Sequence, residues 1–137
     1  MRWADQLIKL SNFELELLQA RLADVAERRQ RAEVKLAVLD AEGEAEMALA
    51  RADPEAGWRM EGFAEGLRRR KLLAQREIDL NLAEEAGVRD AIAEAFETLK
   101  KYEQVADNAR AAAQREAARR DTAVLDEMGL RRATGRR

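Results

Sequence analysis

Apolar residues return along this chain at intervals of three and four. From Ile8 the pattern runs through Leu15, Leu18, Leu22, Val25, Ala32, Leu36 and Leu39. Ser11 and Arg29 occupy intervening positions, and Gly43 and Glu46 meet the frame beyond Leu39. Such spacing keeps the side chains on one stripe of a helix, as a coiled-coil seam requires. It predicts a first helix over residues 4–52. A second frame runs through Ala74, Ile78, Asn81, Glu85, Val88, Ile92, Ala95, Leu99, Tyr102, Ala106, Ala109 and Ala113, with Phe63 and Leu67 beginning the same face. It predicts a second helix over residues 63–128. Asn81 and Glu85 are polar at seam positions. They either fix register from inside the seam or face water where the seam drifts.

Between the two frames lies RADPEAGWRMEG, residues 51–62, which holds the chain's single proline, Pro54, and two of its seven glycines, Gly57 and Gly62. Asp53 suits an N-cap, and Pro54 suits the first turn of a helix, where its missing N–H is not needed. The glycines lower helix propensity by roughly 1 kcal/mol each relative to Ala. A long amphipathic helix cannot bury its stripe alone. Two of them meeting at a cluster of breakers imply a reversal, with residues 53–62 as the turn. The expected fold is all-α: one long antiparallel two-helix coiled-coil hairpin over residues 1–137, with a projecting C-terminal helix.

The projection follows from chain length. A turn near residue 56 sets Met1 opposite residue 111, so about 25 residues beyond it have no partner and would extend roughly 37 Å. Ala106, Ala109, Ala111, Ala112, Ala113, Ala117 and Ala118 favour helix there without needing a partner face. Gly129 offers a C-cap, which leaves 129–137, with Gly135, as a tail.

Composition narrows the chemistry. The chain has 137 residues, 38% charged and 4% aromatic, and neither Cys nor His. Disulfides, thiolate or imidazole metal sites and His-based acid–base catalysis are therefore excluded. Charges at Arg2, Asp5 and Lys9 leave no apolar signal-peptide core, and apolar runs of about four residues, such as Leu36–Leu39, are far too short for a membrane span. The expectation is a soluble cytoplasmic protein without direct membrane insertion. Formal net charge is −2, but residues 110–137 carry +4 and the remainder −6. A basic tail on an acidic body suggests that the tail has its own partner.

Candidate motifs divide unevenly. Arg68-Arg69-Arg70-Lys71 and the terminal Arg131, Arg132, Arg136 and Arg137 could suggest nucleic acid. Glu61, Glu65, Glu77 and Asp79 wrap the first run, so no nucleic acid is expected, and the terminal arginines better suit an acidic protein surface. Glu42, Glu44 and Glu46, or Glu84 and Glu85, read as a solvated face, not as metal ligands. No phosphate-binding glycine loop is present. No cofactor, metal or catalytic residue is expected. Trp58, Met60 and Phe63 give the turn apolar cover, yet exceed what closing a turn demands. Leu125, Met128 and Leu130 lie where no internal core can receive them. These six, with Arg131 and Arg132, are the candidate partner-binding residues.

Three stretches carry a family resemblance. DQLIKLSNFELELLQARLADVAERR opens the chain, FAEGLRRRKLLAQREIDLNLAEEAGVRDAIAEAFETLKKYEQ follows the break at DPEAGW, and REAARRDTAVLDEMGLRR lies near the end. In order and length they resemble the flagellar export protein FliJ family, especially its alphaproteobacterial branch. The resemblance implies a helical hairpin without enzymatic activity, similar to the coiled coil of a rotary ATPase gamma subunit. It implies a stalk in the type III export apparatus, peripheral to the inner membrane at the flagellar base. The implied partners are the hexameric export ATPase, whose pore takes the paired termini, the cytoplasmic domain of the export gate, and export chaperones. The alternative is a generic coiled-coil scaffold or adaptor without an ATPase partner.

Overall fold

The two periodic segments fold as two long helices. A computed structural model describes residues 2–53, 55 and 57–135. In it α1 spans Arg2–Ala52 and α2 spans Gly57–Gly135. There is no strand among the described residues.

The break between the helices is short and specific. The Asp53 N–H donates to the Leu49 carbonyl at 3.1 Å, closing the last turn of α1. The Asp53 carboxylate accepts from the Glu55 N–H at 3.1 Å, the contact expected of a capping side chain at the start of a helix. The role expected of Pro54 lies outside the described residues. Helix α2 begins at Gly57, six residues ahead of the expected start, so Gly57 and Gly62 belong to the helix instead of the turn. Nor does α2 stop at Met128. It continues through Gly129 to Gly135, and no described glycine has a positive φ, so Gly129 does not form the left-handed cap expected of it. Glycine weakens a helix but does not forbid one. Near this end Arg131 pairs with Glu127 one turn back, at 3.2 Å, and Thr134 Oγ1 donates to the Leu130 carbonyl at 3.0 Å. Of the expected tail, Arg136 and Arg137 lie outside the described residues.

Packing divides the chain into two units. One combines residues 16–93. Its buried residues are Val25, Ala32 and Leu39 of α1 with Leu67, Ala74, Ile78, Asn81, Glu85 and Val88 of α2, all on the periodic frames. Leu39, Leu67 and Ala74 form one cluster, against which Leu36 and Phe63 pack. Beside it α1 presents Gly43, where an added Cβ would stand 2.6 Å from Leu67 Cδ2. The missing side chain is what admits Leu67 so closely. Ion pairs cross this unit at two levels: Arg28 with Glu84 at 3.2 Å and Arg29 with Glu85 at 2.7 Å, then Asp40, eleven residues farther along α1, with Lys71, fourteen residues earlier in α2, at 2.8 Å.

The two polar seam residues of α2 lie inside. Asn81 is buried and Glu85 is 1% exposed. Glu85 Oε2 accepts from Arg29 Nε, whereas its Oε1 is buried without a partner. Hydrogen bonds to Glu85, and then to Glu33 at 2.9 Å, raise the pKa of Arg29 above the ordinary arginine value and hold it as a cation.

The other unit combines residues 1–15 and 94–137. Its buried positions are Ala4, Ser11 and Leu15 of α1 and Ala95, Leu99 and Ala106 of α2. Asp5 and Arg110 pair at its rim at 3.4 Å, an exposed contact worth well under ~1 kcal/mol. Beyond Ala106 only Ala109 and Glu116 are half-buried, and every residue over 117–135 is exposed.

Seam and surface positions of equal hydrophobicity should therefore respond oppositely to charge. Val25→Asp buries a carboxylate with no partner and should lower the melting midpoint by at least ~10 °C. Val34→Asp, at an exposed position of the same helix, should leave the midpoint within ~2 °C. Circular dichroism melts of both variants read the difference.

Candidate partner-binding surfaces

Among the described residues no group of three or more acidic side chains is gathered to hold a metal ion, and no helix is long and apolar enough to cross a membrane. The adjacent Glu84 and Glu85 are turned to arginines: Glu84 accepts from Arg28 at 3.2 Å with Arg21 at 3.7 Å, and Glu85 from Arg29. Lys71 of the basic run is likewise committed, to Asp40.

In the unit of residues 16–93, a groove of about 400 Å³ opens between the last turns of α1 and the first turns of α2. Gly43 and Met47 line one side, Met60, Phe63 and Leu67 the other, and Asp40, Glu44, Arg68 and Lys71 rim it. A second hollow, of about 300 Å³, shares Met60 and Phe63 and adds Leu49 and Arg59. Two of the three apolar residues expected near the turn thus converge, and each touches both hollows. The third does not join them. Trp58 is 75% exposed, with the Arg59 guanidinium 5.2 Å from its ring centroid, a cation–π arrangement. Met47, exposed opposite Met60, was not singled out by the sequence reading. Its signal is its spacing: it stands one turn after Gly43, where the seam of α1 loses its large side chains. Methionine is flexible and polarizable, which suits a surface that adapts to an incoming side chain.

In the other unit, the exposed residues 117–135 of α2 carry Val124, Leu125, Met128 and Leu130. Helical spacing separates them. Leu125 and Met128 are three apart and Val124 and Met128 four apart, so these share one face. Leu130, two residues past Met128, points to a different side. Arg131 and Arg132, three and four residues past Met128, flank the apolar face, and Arg131 is tied to Glu127. Val124 was missed by the sequence reading, although its four-residue spacing to Met128 would have found it. An apolar strip with no internal cover and a cationic border suits a partner that brings its own apolar and acidic groups.

Because Leu125, Met128 and Leu130 are all exposed, replacing all three by Ser should change stability by no more than ~0.5 kcal/mol. A melting curve that shifts by several degrees would show that these side chains pack inside the protein.

The chain is similar over almost its whole length to two curated relatives, each named "Flagellar FliJ protein", from Caulobacter vibrioides strain NA1000 / CB15N and strain ATCC 19089 / CB15. It is 48% identical to each over 132 residues, covering 96% of this chain and 95% of the relative. No protein-family description matches the chain, and no solved structure does.

Proposed function

The chain belongs to the flagellar FliJ family, and on that premise we propose that it is a non-enzymatic stalk of the flagellar type III protein export apparatus. In this reading α1 and α2 pair as an antiparallel coiled-coil hairpin, and the end of α2 projects beyond the pairing as an unpartnered helix. That end binds the hexameric export ATPase, and the opposite end, around Met60 and Phe63, meets the cytoplasmic domain of the export gate or an export chaperone. The protein works at the cytoplasmic face of the inner membrane, at the flagellar base.

The observation that carries the reading is the state of residues 117–135: helical throughout, exposed throughout, and bearing an exposed apolar face of Val124, Leu125 and Met128. A helix with no tertiary cover gains little stability from burial and is held by alanine propensity and local ion pairs such as Arg119–Glu116 and Arg131–Glu127. Its form is suited to entering a surrounding partner. Inside a six-fold ring such a helix meets several subunits unequally, which can favour ring assembly and transmit conformational change along the stalk. The falling partner numbers, Asp40 with Lys71 and Arg29 with Glu85, support the antiparallel sense.

The test is co-purification with the export ATPase and measurement of its turnover. The native chain should bind the ATPase and stimulate hydrolysis, and the Leu125→Ser/Met128→Ser/Leu130→Ser variant should bind at least tenfold more weakly, a loss of about 1.4 kcal/mol or more. A stable self-dimer that neither binds nor stimulates would mean a scaffold without an ATPase partner. The arginines call for a separate measurement. Exposed charges are screened within about 8 Å at physiological salt, so they should accelerate encounter more than they hold the complex. Arg131→Gln/Arg132→Gln should slow association, more at low salt than at high salt, with dissociation little changed. A salt-independent loss seated in dissociation would make these arginines part of the docked contact.

A further inference from the structure

We propose that the seam layer made by half-buried Arg29 and buried Glu85 is a pairing-specificity device. It makes α1 choose α2, in one register, over the other helix pairings that this sequence could form. The inference rests on the antiparallel pairing proposed above and goes beyond it, because a hairpin could pair through apolar residues alone.

The layer is hard to explain as a source of stability. Glu85 is among the most deeply buried residues, and Val25 is the comparable one on α1. An ion pair in such a place is commonly no more stabilising than apolar side chains of similar volume, because desolvation offsets the attraction. Here the balance is worse still, since Oε1 of Glu85 is buried with no partner. A leucine at each position would fit the surrounding pattern of Leu, Ile, Val and Ala.

What the layer does is penalise alternatives. The rest of the seam repeats small and branched apolar residues at three- and four-residue spacing, and one such stretch packs on another in many registers. Arg29 and Glu85 remove that freedom. Two copies of α1 aligned in parallel would set Arg29 against Arg29, and two copies of α2 would set Glu85 against Glu85. Sliding α2 along α1 by one heptad would move Glu85 about 10 Å from Arg29 and leave its buried carboxylate among apolar neighbours, whereas the half-buried Arg29 keeps Glu33 of its own helix. An uncompensated buried charge is the costly case.

Charges around the layer repeat the instruction. Arg21 and Arg28 of α1 both meet Glu84 of α2, whereas farther along α1 the signs reverse and Asp40 meets Lys71. In this unit each helix thus runs from a basic stretch to an acidic one. Two such helices match when they run in opposite senses and repel when parallel. These outer contacts are exposed and individually weak. The buried layer is the one whose mismatch is expensive.

The chain has no cysteine, so Asp40→Cys/Lys71→Cys, treated with a short bis-maleimide, reports the pairing directly. In the otherwise native chain it should give an intrachain product with a monomer mass by light scattering. Adding Arg29→Met/Glu85→Leu should keep or raise the melting midpoint. It should also cut the intrachain yield several-fold and produce interchain products of dimer mass. Adding Arg29→Glu/Glu85→Arg instead should return the intrachain monomer. An apolar variant that stays monomeric with the native cross-link yield overturns the proposal. So does one that loses its helicity, since the pair would then be needed to fold at all, and so does a charge swap that fails to restore native pairing. Failure of the cross-link in the otherwise native chain would instead overturn the antiparallel pairing itself.

Discussion

Each helix of this chain carries one narrow apolar stripe, and neither helix can bury its stripe alone. In the unit of residues 16–93 the buried apolar positions are Val25, Ala32 and Leu39 on one helix and Leu67, Ala74, Ile78 and Val88 on the other. A fully buried Leu, Ile or Val contributes roughly 1.5–3 kcal/mol, and two of these seven positions, Ala32 and Ala74, are alanine, which contributes less. The margin for error is correspondingly small. It explains why Leu67 sits so close against Gly43.

A narrow seam also leaves much of each helix to other partners. The groove at Met47, Met60 and Phe63 exists because α1 turns from leucine to glycine at its seam, so the packing that closes the core around Leu39 stops short of filling the space beside it. In the other unit the last buried residue is Ala106, and the exposed helix that follows has alanines where a core would need larger side chains. The two surfaces therefore have one physical origin: positions where the apolar stripe gives out while the helix continues.

Much of this was legible in the sequence. The two frames located every buried residue but Ala4, and overshot at Ala113, which is exposed; helical periodicity is fixed by geometry and needs no knowledge of the partner. They also placed Asn81 and Glu85 on the seam, although only the structure shows them to be inside and Glu85 to be met by Arg29. The helix ends were read less well. Gly57, Gly62 and Gly129 suggested turns and caps, but a glycine only lowers propensity, and neighbouring residues carried the helix through all three. The surfaces were read in part. Large apolar residues near the break and near the end were visible, yet linear proximity grouped Trp58 with Met60 and Leu130 with Met128, whereas the helix separates them. Met47 was overlooked because its groove partners, Met60 and Phe63, come from a different helix.

Under the proposed function, residues 117–135 are an exposed helix in the free chain and become covered on binding the export ATPase. Amide hydrogen exchange, measured on the chain alone and after adding the ATPase hexamer, tests it most directly, because protection follows local packing. The account predicts rapid exchange over residues 117–135 in the free chain, slow exchange around Val25, Ile78 and Val88, and strong new protection over 117–135 in the complex. Equal protection of both regions in the free chain, or exchange over 117–135 that the ATPase leaves unchanged, would contradict it.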